Sequence, residues 1–255
     1  MPVLCIQGLQ SHMGSSTVIA NLARNLHELD QDVLVIDLKS NNLLRLHFNM
    51  DWCNHNGWAL NVINDQPWFN AGFKCEFGIS FMPFGRITYE NKQCLFNEKI
   101  ENNWLSNQLS MANFSDKKWI ILNVESELNT LSIQALNYAD KIIRVIEPQV
   151  TCLGQFCDSI QSNYLSNNPT LHDKCLYLIN KLMPLSELDH EMSLVFKSLI
   201  PNQLIPVKIH FDENLKEAFA QKTTVNIYAP NSGTAKQFRT LATWLMLHFS
   251  HKGAA

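Results

Sequence analysis

Residues 8–17, GLQSHMGSST, follow a short apolar run and lead into the helix-like segment STVIANLARNLHEL. A strand, a turn and a helix start in that order present free backbone N–H groups to an anion, and the helix dipole adds positive potential. Within this loop the amides of Met13, Gly14, Ser15, Ser16 and Thr17 are the candidate donors, and the Ser16 hydroxyl is the candidate magnesium ligand. The plain alternative is a serine-rich helix cap, with Ser15 or Ser16 as N-cap and no ligand. The loop holds no lysine, so nothing in it supplies the point charge that a nucleotide's β- and γ-phosphates ordinarily meet.

Asp37 closes a second apolar run, at the strand end where open α/β sheets bind ligands, although a turn or cap role fits it equally. Lys39 reads by itself as a solvated surface lysine. Asn123 and Asn180 close further strand-like runs and read as polar residues with structural or turn-forming hydrogen bonds.

Other chemistries find little support. The nine histidines, among them His47, His55, His172, His190 and His210, show no H-x-x-x-H or H-E-x-x-H spacing. The seven cysteines are scattered with no C-x-x-C pair, so reduced packing thiols, Cys152 and Cys157 included, are expected rather than disulfides or zinc. No nucleophile elbow and no paired carboxylates suited to sugar chemistry stand out, and no catalytic residue is assigned. A net charge of −3 gives no basic field for nucleic acid. The N-terminal run lacks a basic start and is too short for a signal peptide. No stretch approaches the roughly eighteen apolar residues that span a bilayer.

These candidates need a scaffold. Strand-like runs PVLCIQG, DVLVID, ISFMPFG, KKWIILNV, KIIRVIE and KCLYLIN alternate with helix-like periods. That alternation predicts an α/β fold: a mostly parallel sheet with helices on both faces. Val18, Ile19, Leu22, Ala23 and Leu26 share one face of the first helix. FDENLKEAFAQ reads as a short amphipathic helix. A last helix over about 233–249 puts Phe238, Leu241, Ala242, Leu245 and Phe249 on one face, which packs on the sheet rather than on a membrane. Asn-rich stretches at 41–64 and 97–113 read as surface loops or helix edges, and Trp52, Trp58, Trp68 and Phe69 as core or as an aromatic partner surface. One domain, 1–255, is expected.

In order and spacing the chain resembles the deviant Walker A ATPases typified by ParA and MinD, whose P-loop reads K-G-G-x-G-K-[ST]-T. Gly14, Ser16 and Thr17 match that pattern. Gln10 and Ser15 stand at the two lysines, and Ser11 and His12 at two glycines. Asp37 matches the first switch carboxylate, Lys39 replaces the second, and Asn123 stands where an aspartate would help hold magnesium. Asn180 falls where the family reads adenine, and LIPVKIHFDENLKEAFAQKTTV resembles its late I-P-x-D segment. The runs NNLLRLHFNMDW, GWA at 57–59 and MPFG at 82–85 resemble one branch more closely, the BcsQ (YhjQ) family of bacterial cellulose-biosynthesis operons.

The resemblance implies a P-loop fold of the ParA/MinD type and a site for ATP or ADP built from Met13–Thr17, Asp37, Lys39 and Asn180. It also implies a nucleotide-sandwiched homodimer and contacts with other cellulose-secretion (Bcs) subunits at the inner membrane, where a cytoplasmic protein would support assembly, positioning or regulation of the complex in biofilm formation. The substitutions at 10, 15, 39 and 123 point to weak nucleotide binding without efficient hydrolysis and make magnesium doubtful. Lys39 is the candidate replacement for the missing phosphate lysine, and His12 either faces the phosphates or forces a rebuilt loop. An active ATPase for DNA partitioning or cell-division positioning, and a nucleotide-free scaffold, are the alternatives.

Overall fold

Runs of apolar residues flanked by turn formers become strands covered on both faces, which is where near-continuous apolar runs are stable. In the computed structural model, which describes residues 1–112, 114–162 and 168–250, β1 (Val3–Gly8) and β2 (Val33–Asp37) are buried along their whole length. β3 (Phe73–Lys74) and β4 (Ser80–Met82) form a short antiparallel pair. β5 (Trp119–Asn123), β6 (Lys141–Ile146) and β7 (Cys175–Ile179) complete a seven-stranded sheet in the order β3-β4-β2-β5-β1-β6-β7. Apart from β3 every pairing is parallel.

β1 lies in the interior of the sheet, between β5 and β6. The chain leaves it toward β2 on one side and later returns to build β6 and β7 on the other. That reversal opens a crevice at the carboxyl ends of the central strands. Register places Asp37 opposite Asn123, and Asn123 beside Ile6, so the ends of β2, β5 and β1 meet there.

Helix α1 (Ser15–Glu28) buries Val18, Ile19, Leu22, Ala23 and Leu26, the expected apolar face. The terminal helix Gly233–Ser250 packs on α1. Its Phe238, Leu241, Ala242 and Leu245 are fully buried, so the face that could have met a membrane is core. Among the described residues no helix is long and apolar enough to cross a membrane.

Four expectations need correction. The third strand is shorter than ISFMPFG, because Pro83 lacks the N–H a ladder needs. β3 was not anticipated, since two residues show no periodicity. The 41–64 stretch is not all surface: Arg45 is buried and donates to the carbonyls of Asn42, Asp51, Trp52 and Asn54, tying the loop inward. Cys157 is exposed, not a packing residue. Asn113, at the end of the second Asn-rich stretch, lies outside the described residues.

The tryptophans divide. Trp58 and Trp68 are buried and meet edge-on with ring centroids 6.3 Å apart, and Trp104 packs against both. Trp52 and Phe69 are exposed. The Trp58 indole N–H donates to the Asp37 carbonyl at 2.8 Å, fixing the end of β2 to this cluster. The backbone at Gly57 passes so close to Gly85 that a Cβ on residue 57 would lie 2.1 Å from the Gly85 nitrogen. Only glycine permits that crossing.

Candidate nucleotide site

After β1 the chain bonds once more to β6, Leu9 N–H to Val145 O at 2.9 Å, and then turns away from the sheet. His12 and Gly14 take φ of 67° and 79°, the left-handed region. His12 thus adopts a conformation a glycine would hold without strain, and the loop keeps its course into α1. Gly14 is the N-cap, and no side chain caps the helix, so neither Ser15 nor Ser16 does so. The N–H groups of Ser15, Ser16 and Thr17 have no backbone acceptor among the described residues, as expected of a first helical turn.

Two residues at the end of β7 hold the loop. Asn180 Nδ2 donates to Met13 O at 2.9 Å, and Lys181 Nζ donates to His12 O at 2.8 Å while pairing with Glu147 at 2.6 Å. Two carbonyls that would repel an anion are thereby turned onto donors. A Cβ at Gly14 would sit 2.6 Å from Asn180 Nδ2, so the same contact also demands glycine there. Lys181 and Glu147 were missed in the sequence; the only cue was a lysine next to Asn180.

The cavity over the loop measures about 230 Å³ and is lined by Ser11, His12, Gly14–Thr17, Lys39, Glu125 and Phe219 among others. A second cavity of about 130 Å³ adjoins it, sharing Gly14, Thr17 and Phe219 and adding Asn180, Phe211 and Leu215. Met13, expected at the site, lines neither cavity: its side chain is buried in the core and its carbonyl accepts from Asn180. Gln10 turns aside, its amide 3.4 Å from Thr151 O. His47 is buried against Phe219 with ring centroids 4.4 Å apart, and burial pushes its pKa down to about 4, so it is neutral.

Lys39 is not a solvated lysine. It is 8% exposed, and its Nζ donates to Ser15 Oγ at 2.9 Å. The ammonium therefore reaches the position where the P-loop lysine is missing. Burial lowers its pKa, and the charges of Asp37 and Glu125 oppose that shift. An ammonium has three donors, and Ser15 Oγ is the one hydrogen-bond acceptor found for it among the described residues. Among the described residues no ion pair restrains it there.

Asp37 is fully buried and absent from the cavity wall. Its Oδ1 accepts from Asn123 Nδ2 at 2.7 Å and from Lys39 N–H at 3.1 Å. Asp37 Oδ2 and Asn123 Oδ1 both lack a partner among the described residues. Burial raises the carboxyl to about 7 against these hydrogen bonds and the Lys39 charge. A proton on Oδ2 removes the cost of burying that oxygen as an unpaired charge.

Magnesium takes oxygen ligands, commonly one or two carboxylates besides phosphate and water. The Ser16 hydroxyl lines the cavity, but Asp37 and Asn123 do not. Glu125 is the carboxylate that does, and its Oε1 already accepts from Ser40 N–H at 3.2 Å and Ser40 Oγ at 3.4 Å. No cluster of three His, Cys, Asp or Glu suited to a metal exists among the described residues. This donor set fits a phosphate-bearing anion and does not fit the divalent cation.

Comparison with known proteins agrees with this architecture. Residues 1–246 match the family described as Cellulose biosynthesis protein BcsQ. The Cellulose biosynthesis protein BcsQ of Escherichia coli (strain K12) is 27% identical over 253 residues, covering 98% of this chain and 96% of the relative. Among solved structures, a ParA family ATPase from Chlorobium tepidum TLS superposes with a TM-score of 0.75 at 18% identity, covering 95% of this chain and 97% of that one. The septum site-determining protein MinD complexed with Mg-ADP, from Pyrococcus horikoshii OT3, gives a TM-score of 0.70 at 18% identity, covering 96% and 95%. At such identities the structures speak for the fold, and the family match speaks for kinship: the chain belongs to the BcsQ family of cellulose biosynthesis proteins, built on a P-loop fold of the ParA/MinD type.

Proposed function

We propose that this chain, folded as one domain, supports assembly, positioning or regulation of the bacterial cellulose synthase and secretion complex. It acts as a holder of adenine nucleotide that does not turn it over efficiently. The carrying observation is the Lys39 ammonium, buried at the cavity wall and 2.9 Å from Ser15 Oγ. A charge lost from the loop is supplied from the end of β2, beside the free amides of the first turn of α1. The MinD neighbour binds Mg-ADP, which makes an adenine nucleotide the first ligand to consider. In this reading its phosphates occupy the 230 Å³ cavity over the loop and its base the adjoining one.

Hydrolysis needs a positioned water and a metal to neutralise developing charge. Lys39 stands where the second switch carboxylate would act and Asn123 where a metal-holding carboxylate would, so binding persists without turnover. The partners in this reading are other Bcs subunits at the inner membrane and a second copy of the chain, and the protein works from the cytoplasmic side. Deletion of its gene abolishes or sharply reduces cellulose output, and the wild-type gene restores it; the Lys39→Met gene restores it poorly. Full cellulose output in the deletion strain would refute the assignment to the secretion machinery.

A further inference from the structure

The site's charges are arranged for a nucleotide that arrives without a metal. Resting on the nucleotide reading above, we propose that the phosphates bind free of magnesium, with the Lys39 ammonium and the amides of the first helical turn as the positive groups that neutralise them. In P-loop proteins that cation is held by the loop Ser/Thr and by a carboxylate at the end of the Walker B strand. Ser16 keeps the first part. The second is Asn123, whose NH₂ donates to Asp37 Oδ1 at 2.7 Å, so it offers no charge and turns its donor toward the one acid beside it.

Asp37 is thereby committed. Its Oδ1 takes two N–H groups, its side chain is shut from the cavity, and its Oδ2 and Asn123 Oδ1 are orphaned together. Neither Asp37 nor Asn123 therefore presents an oxygen at the cavity wall for a cation. Lys39 meanwhile lines the cavity, is nine-tenths buried, and has donors to spare beyond Ser15 Oγ. A divalent cation placed beside it would meet like charge in a partly desolvated space. Glu125, the carboxylate on the wall, is engaged by the Ser40 backbone and hydroxyl, and Lys92 Nζ donates to that same hydroxyl at 2.7 Å. The fixed positive charge of Lys39 and the amides of the first turn do together what magnesium and the P-loop lysine share elsewhere.

Titration calorimetry of the intact chain with ADP, in excess magnesium and again in excess EDTA, tests this. The dissociation constants should agree within about threefold, and Lys39→Met should weaken both about tenfold to a hundredfold, while Lys39→Arg keeps EDTA-insensitive binding. Circular dichroism and the unfolding midpoint show whether each variant is folded, and the wild-type comparison needs no variant. Binding that weakens about tenfold or more in EDTA overturns the proposal and leaves the nucleotide reading standing. Wild-type affinity in folded Lys39→Met overturns it as well. Absence of binding in either buffer overturns the nucleotide reading itself, and this inference with it.

Discussion

Replacing Asp37 by asparagine should stabilise the protein, and by more as the pH rises. Burial holds the Asp37 carboxyl near pKa 7 against an ordinary 3.8. The folded state therefore binds this proton more tightly than the unfolded chain does. The stability linked to that proton is fully present below pH 3.8 and is lost as pH rises through about 7. The shift of about three units corresponds to ~4 kcal/mol once the group is ionised, and ~2–3 kcal/mol of that change falls between pH 5 and pH 8. Asparagine is nearly isosteric. Its oxygen can accept from Asn123 Nδ2 and Lys39 N–H, and its NH₂ carries no charge to bury. The charged neighbours Lys39 and Glu125 are common to both proteins. Urea unfolding of wild type and variant at both pH values reads the effect as a difference, in which titrations not coupled to residue 37 cancel. The variant should gain ~2–3 kcal/mol relative to wild type on going from pH 5 to pH 8. A difference independent of pH would refute a protonated, buried Asp37.

Two further substitutions probe the scaffold around the site. Gly14→Ala forces a Cβ onto a left-handed residue and to 2.6 Å from Asn180 Nδ2; urea unfolding should show a loss of at least ~1 kcal/mol, and ADP affinity should fall with it. Trp58→Phe removes the indole donor from the Asp37 carbonyl while keeping an aromatic ring; a loss of ~1–3 kcal/mol in the same assay is expected, from an unpaired buried carbonyl. An unchanged unfolding midpoint in either case would mean the contact contributes nothing.

How much of this was legible in the sequence depended on the range of the signal. β1, β2, β5, β6 and β7 are continuous apolar runs bounded by turn formers, a local pattern, and all were readable. β3 has two residues and no pattern of its own; it exists because β4 offers it an edge. At 8–17 the strand, turn and helix start were readable in that order, but strand and helix order alone did not separate an anion site from a serine-rich helix cap. Lys39 was not readable as buried, because its burial depends on Ser15, 24 residues away in sequence, and on the walls that Glu125 and Phe219 add. Lys181 and Glu147 escaped for a like reason: their role lies in carbonyls of a loop folded from the other end of the chain. Asn180 was expected to face adenine, and it does line the second cavity, yet its amide is spent on Met13 O.

Under the proposed function, the turn after β1 retains an adenine nucleotide, with positive charge supplied by Lys39, and does not cut it. Native mass spectrometry of the protein incubated with ATP measures this directly. The expected result is one adenine nucleotide per chain, recovered as uncleaved ATP. A bare chain at saturating ATP, or steady conversion to ADP over repeated turnovers, would contradict it.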